Sequence, residues 1–277
     1  MENIEEISKA LNLGVKDYFR KNSIKKAVIG LSGGLDSSVA ACIIAKAISR
    51  ENVLGILMPD RITSKESMDD AIELAKYLRI KHKIVPIDGF MENFNVVNKK
   101  NSIKNNDYAL ANAKARTRMS IIYYFANLNN AFVIGTSDKS EIALGYTTKF
   151  GDNASDIMVL GDLWKTNVRK LGKFFKIPKS ILEKKPSAEL IKGMTAEKEL
   201  GADYKILDPI IKMHMEDGIS KEQIIGKGFD KKLVEKTIRR IAVNEHKRRS
   251  AILIRISERS FHNKEWRMPI TNRFEAK

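Results

Sequence analysis

The sequence predicts an α/β protein: a Rossmann-like, doubly wound parallel sheet with helices on both faces, followed by a helical C-terminal portion. Short apolar runs of strand length alternate with longer segments of helical periodicity. This alternation indicates parallel strands joined by crossover helices, because such strands are buried on both faces. The strand-like runs cover residues 28–31, 53–58, 84–87 and 132–134.

The helical segments of the first half can be placed in chain order. Residues 3–20 carry apolar side chains at helical spacing, and an apolar run over 39–45 follows the first strand and its loop. The next helix is predicted to begin with a capping box formed by Thr63 and Glu66. A long helical pattern then extends from about residue 106 to 127.

After residue 160 the strand signals fade. Three further helices are predicted, over residues 163–175, 206–215 and 231–246. No internal repeat or long linker divides the chain. We therefore expect one domain over residues 1–277, with a core of about 5–250 and a C-terminal tail of 251–277.

The composition narrows the class of protein. No apolar run approaches the roughly 20 residues that span a bilayer, and the acidic start differs from a signal peptide, so we expect a cytoplasmic protein without membrane contact. The single cysteine, Cys42, excludes an intrachain disulfide and falls in a predicted helix, which favours a buried packing role. A formal net charge of +16 indicates either attraction to polyanions or a lysine-rich solvated surface.

A loop with the sequence LSGGLDSS follows the first strand, over residues 31–38. Unpaired amides at a helix N-terminus attract anions, and glycines let the backbone approach phosphate. In place of the lysine of a Walker A motif, the loop carries Asp36. An aspartate beside a polyphosphate needs an intervening cation, and magnesium commonly bridges the two. The loop therefore predicts a phosphate site with magnesium on Asp36; the alternative is an ordinary helix cap.

A second polar cluster, GTSDKSE over residues 135–141, follows another apolar strand and is expected at the same edge of the sheet. Glu141 is the predicted second magnesium ligand, and its alternative role is a first-turn helix glutamate favoured by the helix dipole. The segment GYTTKFGDNASD over 145–156 lacks apolar periodicity and is typical of a binding loop.

The loop SGGLDS resembles the pyrophosphate loop of the ATP pyrophosphatase superfamily, whose members adenylate a substrate oxygen. Further motifs follow in order, DLWKT over 162–166, KPSAEL over 185–190 and ELGADY over 199–204. With these motifs the chain resembles the ammonia-dependent NAD synthetase family over about residues 5–250. The resemblance implies amidation of deamido-NAD by ammonia through a deamido-NAD adenylate, giving NAD, AMP and pyrophosphate. It also implies a homodimer.

The resemblance assigns roles to individual residues. It implies that ATP is held by Ser32, Gly33, Gly34, Leu35, Asp36, Ser37, Ser38, Thr136, Lys165 and Ser187. It implies that deamido-NAD is held by Arg116, Lys149, Asp156, His246 and Lys247, and magnesium by Asp36 and Glu141. No protein nucleophile is required, so Asp36, Glu141 and Lys165 would support catalysis by positioning and charge neutralisation. Singly, Arg116 could be a helix-surface cation and His246 and Lys247 a solvated helix end.

The resemblance weakens in the segment 184–204, a predicted mobile lid. Met194 and Ala196 stand where the family usually has glutamine and aspartate, and Glu197 is the remaining carboxylate there. The first strand begins about 25 residues into the chain, which leads us to expect no amidase domain and ammonia supplied free or by a separate partner. The tail 251–277 matches no motif that we can use.

Two other functions compete with this hypothesis. A tRNA-modifying relative would suit the charge of +16, but a basic RNA-binding extension is not evident, so we expect no nucleic-acid partner. An inactive nucleotide-binding protein would suit the altered lid, but Asp36, Glu141 and Lys165 argue against it.

Overall fold

A computed structural model describes residues 3–101, 107–184, 190–191 and 193–258. At its centre lies a five-stranded sheet in the order β3-β2-β1-β4-β5, in which every neighbouring pair is parallel. The strands are β1 (Lys26–Gly30), β2 (Val53–Leu57), β3 (Lys81–Ile84), β4 (Ala131–Gly135) and β5 (Ile157–Met158). The strand order reverses between β1 and β4, so the predicted doubly wound fold is confirmed.

Helices cover both faces of the sheet and continue beyond it. In chain order they are α1 (Ile4–Lys21), α2 (Leu35–Ile48), α3 (Lys65–Leu78), α4 (Asp88–Asn101), α5 (Asp107–Asn129), α6 (Lys139–Leu144), α7 (Lys165–Phe174), α8 (Lys179–Glu183), α9 (Ala196–Leu200), α10 (Tyr204–Met215), α11 (Lys221–Gly226) and α12 (Lys231–Val243). Among the described residues, none of these helices is long and apolar enough to cross a membrane.

Side chains alternate across β1, as strand geometry requires, and feed two apolar cores. Ile29 packs in the core that contains residues of α1, α2 and α7, whereas Val28 packs in the opposite core with residues of α4 and α5. The C-terminal helices build a further core around Tyr204 and Leu207, which packs against Leu144 of α6. The C-terminal helices therefore pack against α6, the helix that follows β4.

Two predicted boundaries were wrong and one strand was not predicted, each for a physical reason. Strand β3 lies three residues before the predicted run, because it is an exposed edge strand whose polar residues hide its pattern. Helix α3 is capped by Ser64, since the hydroxyl of Thr63 donates to Asp60. Strand β5 was not predicted because two residues carry no periodic signal.

Candidate active site

The loops after β1 and β4 lie side by side, because these strands pair directly at the reversal of strand order. Ligands of such sheets bind at this place, outside the carboxyl ends of the strands. The first loop leads into α2 and the second into α6. The two polar clusters singled out in the sequence therefore share one edge, as expected.

The geometry of the first loop depends on Gly33. Its φ is +73°, and a Cβ on this residue would lie 2.1 Å from the carbonyl oxygen of Ser67 in α3. The N-cap of α2 is Gly34, which makes no side-chain capping bond, so Asp36 is not the cap of this helix. Capping therefore does not explain the carboxylate of Asp36, and this carboxylate can interact with other charged groups of the site.

Some of the residues predicted to bind ATP are accessible to solvent, and others are buried beneath the loop. Ser32 is exposed and Thr136 is half-buried at the end of β4. Leu35 and Ser38 lie inside the fold, and the hydroxyls of Ser37 and Ser38 donate to the carbonyl of Gly34 at 3.1 and 2.7 Å. These buried groups support the loop from within. The predicted ATP contact Ser187 lies outside the described residues.

Four charged side chains meet where the loops converge. The Nζ of Lys165 lies 2.8 Å from Oδ2 of Asp36, 2.9 Å from Oδ2 of Asp138 and 2.7 Å from Oε1 of Glu141. We call these four residues the carboxylate–lysine centre. The lysine side chain is only 2% exposed, so the ion pairs are shielded from solvent. Lys165 and Asp36 are 129 positions apart, and only the fold brings them together.

The electrostatics of the carboxylate–lysine centre are those of crowded, buried acids. Burial, reinforced by the nearby charge of Asp36, raises the pKa of Asp138 to about 6. Burial, reinforced by the nearby charges of Asp138 and Asp36, raises the pKa of Glu141 well above its usual value. Burial opposes the charge of Lys165, but the three carboxylates outweigh it and hold its pKa well above the ordinary range. Three acids share one ammonium, so the centre attracts further cations.

The donor atoms of this centre suit magnesium. Oδ1 of Asp36 is buried and has no hydrogen-bond partner, and the remaining donors are carboxylate oxygens, which hard cations prefer. Within the described parts of the chain, no group of three acidic, histidine or cysteine side chains could by itself hold a metal ion.

Asp208 of α10 fixes the position of the lysine. Its carboxylate accepts from the hydroxyl of Ser140 at 2.6 Å and from the amide of Thr166 at 3.0 Å, while the amide of Lys165 donates to Ser140 at 2.9 Å. The N-termini of α6 and α7 are thus held together. Sequence analysis missed Asp208, because no local signal links a residue of the C-terminal helices to this edge.

Two further residues of the site were missed. Asp138 lies in the GTSDKSE segment but was not predicted as a site residue; it forms a capping box with Glu141, so both residues stabilise the start of α6 and contact Lys165. The ring of Tyr204 lies 5.2 Å from the Nζ of Lys165, and its buried hydroxyl has no hydrogen-bond partner. Tyr204 was quoted within a motif, but its contact with Lys165 depends on tertiary structure.

Three of the residues predicted to bind the dinucleotide are close to one another. Nε of Arg116 donates to the carbonyl of Lys149 at 3.3 Å. Lys149 and Lys247 line one cavity of about 270 Å³. Nζ of Lys247 donates to the carbonyl of Gly145 at 2.7 Å, and burial lowers the pKa of this lysine. A basic cavity therefore lies beside the turn after α6.

The other two predicted residues make different contacts. His246 is exposed, with Nδ1 3.1 Å from the carbonyl oxygen of Val243. The carboxylate of Asp156 accepts from the amide of Val133 at 2.7 Å and from the hydroxyl of Tyr123 at 3.4 Å, beside β4. The described contacts of Asp156 thus stabilise the sheet and do not include the basic residues.

A second cavity of about 240 Å³ adjoins the first and shares Lys247 with it. Its lining includes Tyr146, Met194 and Glu199, whose carboxylate pairs with Arg240 at 2.9 Å. Glu197, named in the sequence as the remaining carboxylate of the lid, is exposed on α9 and does not line this cavity. Among the described residues of the segment 184–204, Glu199 is the acidic residue that lines it.

Comparison with known proteins decides the family. The family model described as NAD synthase matches residues 7–251. The chain belongs to the NAD synthase family. The predicted resemblance is therefore confirmed, and the carboxylate–lysine centre lies within the matched region.

Individual relatives carry two kinds of name. The NH(3)-dependent NAD(+) synthetase of Fusobacterium nucleatum is 37% identical over 92% of this chain and 97% of the relative. The glutamine-dependent NAD(+) synthetase of Aquifex aeolicus is 43% identical over 98% of this chain, which spans about half (48%) of that relative's length. A solved structure of NMN synthetase from Francisella tularensis matches with a TM-score of 0.80 and 33% identity, over 92% of this chain and 100% of that one.

Proposed function

We propose that this member of the NAD synthase family is an NAD(+) synthase: it uses ATP to amidate deamido-NAD with ammonia and forms NAD, AMP and pyrophosphate. The carboxylate–lysine centre beside the loop of Gly33 carries the proposal. In this reaction a pyridine carboxylate attacks the α-phosphorus of ATP, and ammonia then attacks the resulting adenylate. The main obstacle is the repulsion of two anions, which charge neutralisation and positioning reduce.

In this proposal the first loop and the carboxylate–lysine centre hold ATP. Amides of the loop receive phosphate oxygens, with Gly33 allowing the close approach. Lys165 is a cation supplied by the chain, already 2.8 Å from Asp36. Asp36 and Glu141 would hold magnesium, which when bound neutralises phosphate charge and polarises the reacting group.

Deamido-NAD is proposed to lie along the basic cavity. Its diphosphate carries negative charge, which Arg116, Lys149 and Lys247 would offset. Burial, reinforced by the nearby charge of Arg240, lowers the pKa of Lys247 more than the acids Asp152 and Glu199 raise it, so an anionic ligand would favour the charged form of this lysine. No side chain needs to form a covalent bond, since both reacting groups belong to substrates.

The proposed assembly is a homodimer through α4 and α5. Phe90 and Phe94 of α4 and Tyr124 and Leu128 of α5 are 56%, 47%, 64% and 66% exposed. Helices α4 and α5 contact each other, and exposed apolar residues on neighbouring helices can mark an interaction surface. In sedimentation measurements the wild type should be a dimer and Leu128→Asp a monomer. The control Leu13→Asp, which changes an exposed leucine of α1, should remain dimeric.

A direct assay tests the reaction. Purified protein with ATP, magnesium, deamido-NAD and ammonium should form AMP and NAD in equal amounts, and Asp36→Ala should abolish both. ATP binding without AMP formation would contradict the proposal. Because one similar structure is described as NMN synthetase, the nicotinate mononucleotide is the alternative substrate to compare. A higher kcat/KM for the mononucleotide would replace deamido-NAD as the substrate.

A further inference from the structure

A second lysine reaches the loop of Gly33 from a distant part of the chain. Lys184 is the C-cap residue of α8, and its Nζ lies 2.6 Å from Oδ2 of Asp70, 3.0 Å from Oγ of Ser67 and 3.4 Å from the carbonyl oxygen of Gly33. Asp70 is 6% exposed, so the ion pair is largely shielded from water. The loop is therefore in contact with a cation that is distinct from Lys165.

The contact occurs at a buried part of the loop, where α3 packs directly against Gly33. Gly33 carries no side chain, and its Cα approaches Ser67 so closely that a Cβ would lie 2.1 Å from the Ser67 carbonyl oxygen. Ser67 is also a hydrogen-bond partner of Lys184. The shape of the loop and the position of the lysine thus depend on the same turn of α3. The ammonium therefore lies against the backbone of the loop itself, 3.4 Å from the carbonyl oxygen of Gly33.

The charge balance of the site requires such a cation. In the carboxylate–lysine centre, Asp36, Asp138 and Glu141 share the single ammonium of Lys165. A triphosphate bound to the neighbouring loop would add several negative charges to this excess of acids. Lys184 is paired with one carboxylate, that of Asp70, and its side chain is 27% exposed, so it can turn toward a ligand.

We propose that Lys184 is a phosphate-binding residue of this site, contacting the triphosphate of ATP and the pyrophosphate product through the loop of Gly33. This inference rests on the proposed function, because it assumes that the loop binds phosphate. In the ligand-free protein Asp70 and Ser67 hold the ammonium beside the loop. A bound phosphate offers stronger, charge-assisted hydrogen bonds than the carbonyl of Gly33.

A purely structural role of Lys184 and a phosphate-binding role lead to different expected results. If Lys184 only ties α8 to α3, then removing either partner of the Lys184–Asp70 pair should have the same effect. If Lys184 binds phosphate, Asp70→Asn frees its charge for the ligand and does not weaken binding. Lys184→Gln separates the two roles again, because an amide can still donate a hydrogen bond to Ser67 but carries no charge.

Calorimetric titration of the full chain with magnesium pyrophosphate and with AMP tests the proposal without turnover. Lys184→Met and Lys184→Gln should each weaken pyrophosphate binding about tenfold or more, and Lys184→Arg should retain it, since the lost contact is charge-assisted. AMP binding should be unchanged. The control Lys179→Met removes the same charge from an exposed site on α8 and should have no effect.

Two outcomes would overturn the inference. One is wild-type pyrophosphate affinity in both Lys184→Gln and Lys184→Met. The other is a loss in Asp70→Asn as large as that in Lys184→Met, which would indicate a structural tie. Melting temperatures identify any variant that does not fold. If Lys184→Met does not fold, the pyrophosphate affinities of Lys184→Gln and Asp70→Asn distinguish phosphate binding from a structural role. Lys184-dependent pyrophosphate binding in a protein that forms no NAD would refute only the proposed reaction.

Discussion

The ammonium nitrogen of Lys165 lies 2.8 Å from Oδ2 of Asp36, so a buried lysine stands beside the carboxylate that the sequence predicts as a magnesium ligand. The same ammonium contacts Asp138 and Glu141. The site is thus held together by a cation of the chain itself. Because Asp36 follows β1 while Asp138 and Glu141 follow β4, their shared ammonium also links the ends of the two strands at the switch point.

Lys165→Met should destabilise the protein strongly. Removing one partner of a buried ion pair costs about 3–5 kcal/mol, because the remaining charges stay uncompensated. The loss in free energy of unfolding, measured in urea with EDTA at pH 8, should shrink at pH 5, because the raised pKa values of Asp138 and Glu141 let these two carboxylates take up protons there. Lys173→Met, at an exposed position of the same helix, is the control. Equal stability of both variants would contradict this account.

Gly33→Ala should destabilise the protein by at least about 2 kcal/mol, because the new Cβ meets the carbonyl of Ser67 at a positive φ. Gly14→Ala is the matched control: this glycine lies inside α1 with nothing within 4 Å, so alanine should stabilise by about 0.5–1 kcal/mol. Chemical denaturation should show a lower free energy of unfolding for Gly33→Ala than for the wild type and a higher one for Gly14→Ala. A neutral Gly33→Ala would show that the loop relaxes freely.

Tyr204 should act on Lys165 through its ring rather than its hydroxyl. Tyr204→Phe removes a buried, unpartnered hydroxyl and should leave stability unchanged or slightly higher. Tyr204→Leu removes the ring 5.2 Å from the ammonium and should cost about 1–2 kcal/mol more than the phenylalanine variant. Urea denaturation compares the two. Equal stabilities would mean that the ring contact with Lys165 is not stabilising.

Cys42 should be inert in the folded protein, as its predicted packing role requires. Burial raises the pKa of its thiol to about 12, so the reactive thiolate is nearly absent at pH 8. Its modification by a disulfide reagent should therefore follow unfolding. The unfolded thiol ionises at lower pH than the folded one, so stability should fall as pH rises above about 9. The stability of Cys42→Ala should not show this decrease at high pH. Fast labelling of Cys42 in the native protein would refute the prediction that the thiol is inert.

Much of the fold could be predicted because its signals are local. Apolar runs separated by helical periods indicate a parallel sheet, and a glycine-rich turn between a strand and a helix indicates its ligand edge. Asp36 and Glu141 follow from this edge alone. The edge strand β3 and the cap Ser64 were misplaced, because neighbours outside the local segment determine them.

The sequence by itself determined the class of sheet, the glycine-rich loop after β1 and most residues of the candidate site. Only the tertiary structure decided which charges meet: Lys165 with three carboxylates, and Lys184 with the loop of Gly33. The physical reason is that hydrophobic periodicity reports how a segment buries its own face. The position of a charged side chain within a few ångströms depends instead on helices packed from distant parts of the chain, such as α10, which supplies Asp208.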